Sequence, residues 1–126
     1  MINFTEFVNS YLHTAAWATC DTPDENHEFT KEAIERAKID CAKFIGIVEF
    51  KWGKEASEYI LTYPARDLDY LAPHCFFLNR CGHGTGFWDR ETEFGIYADD
   101  LSEISKFMGN VDCMHVRGPK SKLTLY

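Results

Sequence analysis

The sequence predicts an α+β domain, with N-terminal helices packed on a small, mostly antiparallel C-terminal sheet of about four strands. Two observations carry that expectation. Up to about residue 63 the apolar side chains recur at the spacing of a helix face, whereas beyond residue 70 aromatic, β-prone runs alternate with glycine. The chain has 126 residues, 45% of them hydrophobic, which suits one domain spanning 1–126 with a core of its own.

The first helix is read from Phe4 to Thr19, where Phe4, Phe7, Val8, Tyr11, Leu12, Ala15 and Ala16 fall on one face. A polar segment from Cys20 to His27, with Pro23 among acids, ends it. Thr30 is placed to cap a second helix, whose stripe runs through Ala33, Ile34, Ala37, Cys41, Phe44, Ile45 and Val48. A third, shorter helix is expected from Lys51 to Tyr63, closed by Pro64. Then the character changes. His74 to Arg80 and Gly86 to Asp89 read as two strands of a hairpin turning through the glycine run between them. Asp99 or Asp100 is expected to cap a fourth helix with Leu101, Ile104, Phe107 and Met108 on its apolar side, stopped by Gly109-Asn110. Two short strands, Asp112 to Arg117 and Leu123 to Tyr126, complete the predicted sheet.

Composition excludes several classes of function. A formal charge of -7 argues against a general nucleic-acid binder, since affinity for phosphates rests on Lys and Arg. The deficit is concentrated in residues 1–63, with 11 acids against 6 bases, while Arg117, Lys120 and Lys122 leave room for a basic patch near the C-terminus. Five cysteines without a C-x-x-C suit free thiols in a reducing compartment, and neither a signal peptide nor an apolar span is visible. A cytoplasmic protein without a membrane segment is therefore expected.

The densest chemistry lies in Cys81-Gly82-His83-Gly84-Thr85-Gly86-Phe87-Trp88-Asp89-Arg90. Together with the preceding His74-Cys75-Phe76-Phe77-Leu78-Asn79-Arg80, this run resembles the core H-D-F-W-L-T-R-N-G-H-G-x-G-F-W-D-R of a family of small, functionally uncharacterised proteins of bacteriophages and other mobile elements. Departures fall at Cys75, Phe77, Asn79 and Cys81, where that family usually has Asp, Trp, Thr and Asn. Tyr11 to Trp17 resembles its early helix, and Phe29 to Phe44 its second helix with an internal Asp-Cys. The resemblance implies a phage or mobile-element origin and assigns no reaction.

Two readings of the run compete. In one, Gly82, Gly84 and Gly86 present backbone N–H groups that, with Arg80 and Arg90, hold an anion, Asp89 completes the cleft and His83 serves as acid or base. In the other, the glycines supply the dihedrals of a tight hairpin, Phe87 and Trp88 lie on opposite strand faces, and Asp89 and Arg90 pair locally. The hairpin reading is favoured, because glycine loops outside a P-loop or dinucleotide framework are weak signals. Zinc on Cys75, Cys81 and His83, with His74, Cys113 or His115 as a fourth ligand, lacks the spacing of a known finger, so neither a metal nor another cofactor is expected. A Cys81–His83 nucleophilic pair lacks an orienting third group.

The leading expectation is thus a small accessory protein that binds a host or phage protein and modulates it, with no catalysis of its own. Exposed aromatics, Phe87 and Trp88 among them, and acids such as Asp21, Asp24, Glu25 and Glu28 would form its contact surface. The rival is a ligand binder or enzyme acting on a phosphate-bearing small molecule or nucleic-acid end through Arg80, His83 and Arg90.

Overall fold

A computed structural model describes residues 2–19, 28–62, 65–66, 69–81, 86–87, 90, 94–115 and 123–125. The first helix, α1 (Phe4–Thr19), buries Phe7, Val8, Tyr11, Leu12, Ala15 and Ala16, while Phe4, expected on the same face, is exposed in the first turn. Asn3 starts it: the side-chain oxygen accepts from Glu6 N at 3.1 Å and the carbonyl from Phe7 N at 3.0 Å. Helix α2 (Lys31–Trp52) is capped by Thr30, whose Oγ1 accepts from Ala33 N at 3.1 Å. Its core stripe is Ala33, Ala37, Cys41, Phe44 and Val48. Gly53, at φ 87°, ends it and lets α3 (Lys54–Thr62) start at once, burying Ser57, Ile60 and Leu61.

The predicted sheet is not formed. His74 to Arg80, expected as a strand, lies inside helix α4 (Leu71–Cys81), so the hairpin loses its first arm. The physical reason is the position of α4 at the centre of the molecule, packed against α1, α3 and α5, which buries eight of its eleven residues. A helix enclosed on all sides needs no polar face, so its sequence shows a continuous apolar run that periodicity cannot tell from a buried strand. Pro73 is tolerated because it falls in the first turn, where the missing N–H would have no intrahelical partner.

A 3-10 turn over Gly95–Tyr97 leads directly into α5 (Ala98–Phe107), which buries Ala98, Leu101, Ser102, Ile104 and Ser105. Asp99 and Asp100 do not cap α5. They lie in its first turn, where carboxylates complement the helix dipole. Phe107, expected on the apolar side, points to solvent instead.

Among the described residues β structure is confined to two antiparallel ribbons. The first pairs β1 (Ala65–Arg66) with β2 (Asp69–Tyr70). The second pairs β3 (Cys113–His115) with β4 (Leu123–Leu125), in the register Cys113 to Leu125 and His115 to Leu123. A single parallel bridge ties Phe29 to Leu123. The chain is therefore predominantly helical, and the α+β expectation of a four-stranded sheet is corrected. No described helix is long and apolar enough to cross a membrane.

Aromatic rings fill the centre. Phe44 stacks on Phe76 with centroids 4.1 Å apart and on Phe87 at 5.8 Å, Tyr11 meets Phe76 at 5.2 Å and Phe77 at 5.4 Å, and Phe94 meets the edge of Phe87 at 5.0 Å. Such pairs are worth about 0.5–1.5 kcal/mol each beyond their buried area. They lock α1, α2, α4 and the segment after the glycine run into one core.

Candidate functional site

Arg80 sits on the last turn of α4 and is only 3% exposed. A guanidinium taken out of water must have its N–H groups met and its charge balanced. Here its Nη1 donates to Asp40 Oδ2 at 2.7 Å and to Tyr11 Oη at 3.0 Å. Nε donates to the Gly109 carbonyl at 2.9 Å, and Nη2 to that of Met108 at 3.4 Å. Those two carbonyls end α5, where the helix leaves oxygens without N–H partners and carries partial negative charge. Arg80 thus caps α5 while pairing α2 and α1, and its own carbonyl accepts from Val111 N at 3.1 Å. Its guanidinium carbon also lies 5.3 Å from the centre of the Phe76 ring.

Asp40 receives a second cation at longer range, Arg36 Nε at 3.5 Å, one helical turn back on α2. Around this pair two weak acids are held neutral. Burial pushes the Tyr11 hydroxyl well above its ordinary value of 10.0, with Arg80 pulling the other way. Burial likewise raises the Cys41 thiol far above 9.0, and the Asp40 charge adds to it. Cys41 is therefore a small apolar core residue rather than a nucleophile.

Of the residues singled out in the glycine run, Gly82, His83, Gly84, Trp88 and Asp89 lie outside the described residues. Gly86, Phe87 and Arg90 do not extend a strand. Phe87 N donates to Asn79 Oδ1 at 2.7 Å, Arg90 N to the Phe87 carbonyl at 3.0 Å, and Phe94 N to the Arg90 carbonyl at 2.9 Å. Gly86 lies so close to α4 that a Cβ there would overlap the Asn79 side-chain amide. That close approach, rather than a hairpin, is what its glycine serves. Phe87 is fully buried between Phe44 and Phe94, so it is no part of an outer contact surface. Arg90 is half-buried.

The thiols and imidazoles named for zinc are dispersed in role. Cys75 is buried, Cys81 Sγ donates to the Leu78 carbonyl at 3.7 Å, and His74 Nδ1 lies 3.0 Å from Thr14 Oγ1. The Thr14 hydroxyl also lies 2.9 Å from the Ser10 carbonyl, to which it donates. No three His, Cys, Asp or Glu side chains converge as metal ligands among the described residues.

Arg80 was legible as a candidate, but its partners were not. Asp40 carried a signal, a lone acid beside Cys41 on a helix otherwise apolar on that side. Tyr11 looked like any other core aromatic.

On the outside of the molecule, Ile96 is 86% exposed and Phe107 80% exposed. Asp99, Asp100 and Glu103, all exposed on α5, lie between Ile96 in the preceding 3-10 turn and Phe107 at the end of the helix. Lys106 lies 3.9 Å from Glu103.

Comparison of the chain with protein-family models, with curated proteins and with solved structures finds no match.

Proposed function

We propose that the chain is a small accessory protein of a phage or mobile element that works in the host cytoplasm by binding a host or defence protein through the outer face of α5. The observation that carries this reading is a contrast between inside and outside. Arg80, the one buried cation of the motif among the described residues, is spent on Asp40, Tyr11 and the end of α5, while Ile96 and Phe107 stand in water around three carboxylates. Large apolar side chains exposed to water gain free energy when a partner buries them, and acids between them select a basic partner with an apolar pocket at each end of the acidic stretch.

A phosphate-bearing ligand held by Arg80, His83 and Arg90 is the weaker reading, because Arg80 would first have to give up its ion pair. The test is a pull-down from host lysate with the wild type and with an Ile96→Ser/Phe107→Ser variant of unchanged melting temperature. The proposal expects a basic partner retained by the first and lost by the second. Failure to enrich any protein, or equal retention by both, would overturn it.

A further inference from the structure

The solvent face of α2 is apolar where a lone helix has no use for it. Ile39 is 63% exposed and Phe50 93% exposed, and between them along the same face lie Ala42 and Gly46, both exposed. Eleven residues separate Ile39 from Phe50, three helical turns, so the two project from nearly the same side. Gly46 is the odd member. A Cβ there would meet nothing within 4 Å, and the residue lies mid-helix, where glycine weakens a helix relative to alanine. Packing inside the monomer therefore gives no reason for its lack of a side chain. Close approach of a second helix would.

We infer that this face is the seam of an antiparallel, two-fold symmetric dimer of the chain. The pattern of the helix is what selects a second copy. If two α2 helices run antiparallel with Ala42 opposite Gly46 of the partner subunit, the same register sets Ile39 against Phe50 of the partner subunit. On the opposite flank it sets Lys38 against Glu49 of the partner subunit. Symmetry repeats each contact, giving two apolar and two opposite-charge pairs around a centre of small residues, as an isologous interface requires. A parallel arrangement would set Lys38 against Lys38 and Glu49 against Glu49. Lys38 is half-exposed and its ion pair is a long 3.8 Å contact with Glu35 in its own helix, so a turn of its flexible stem brings it to a stronger one. Lys43, beside Ile39, faces its own symmetry mate, and its flexible stem carries the ammonium out to water. A seam of three to four turns is small, so the dimer belongs in the micromolar range, on the order of 10 µM or weaker.

Sedimentation equilibrium of the full chain from about 1 to about 500 µM tests the inference. Reversible dimerisation is expected, with Phe50→Asp remaining monomeric and its circular dichroism unchanged. Lys38→Glu or Glu49→Lys alone should weaken the dimer about tenfold, since each touches two pairs, and the double reversal should restore it. A chain that stays monomeric throughout would overturn the inference. So would a dimer that survives Phe50→Asp, or a double reversal no tighter than either single one. None of these variants touches α5, so loss of the dimer and loss of the proposed partner are separate outcomes.

Discussion

At the scale of single residues, the consequential pair is Arg80 and Asp40. The Arg80 side chain is 2% exposed and that of Asp40 15%, so removing one partner leaves a charge in a poor solvent. Asp40→Ala should cost about 3–5 kcal/mol in urea unfolding, and the Asp40→Ala/Arg80→Met double variant should cost less than the single one. A single variant within about 1 kcal/mol of the wild type would remove the pair from this role. The neutral acids beside it give a pH dependence. Below about pH 9, Cys41 and Tyr11 are protonated whether the chain is folded or not. Above it the unfolded chain releases the Cys41 proton and then, beyond pH 10, that of Tyr11, while the folded state keeps both. The folded state then binds more protons, so stability falls as pH rises, by up to about 1.4 kcal/mol per pH unit for each group. Cys41→Ala should flatten that fall between pH 9 and 10, whatever its effect at neutral pH; an unchanged slope would contradict the burial of the thiol.

At the scale of elements, the segment after the glycine run is held by its fit to the end of α4. Gly86→Ala should destabilise by about 2 kcal/mol or more, because the new methyl group must displace Asn79 from the Phe87 N–H it accepts. A neutral substitution would show that the segment is not docked there. The same element marks the boundary of what the sequence revealed. Helices α1 and α2 were legible because each has a wet side and a dry side, and Thr30 stood where a cap was needed. The strands around Cys113 and Leu123 were legible in position, but they form a two-stranded ribbon and not part of a larger sheet. Helix α4 was not, because its cover comes from α1, α3 and α5, and a side chain such as Phe76 or Phe77 says nothing about which distant residues will enclose it. The candidate site failed in the same way. Arg80 looked like a group awaiting an anion because the carboxylate that satisfies it is forty residues away.

At the scale of the whole molecule, the described residues of this small acidic protein turn Arg80 inward and leave large apolar side chains exposed on the outer faces of α2 and α5. The α5 face is charged and suits a foreign, basic partner. The α2 face is nearly uncharged at its centre and suits a second copy. The α5 assignment depends on Arg80 being an internal strut, and nuclear magnetic resonance of its Nε–H tests that claim directly. The account predicts an Nε–H signal protected from exchange and unmoved by added inorganic phosphate or pyrophosphate, since the proton is held by the Gly109 carbonyl. A rapidly exchanging signal, or one that shifts saturably as either anion is added, would contradict it and return the function of the motif to ligand binding.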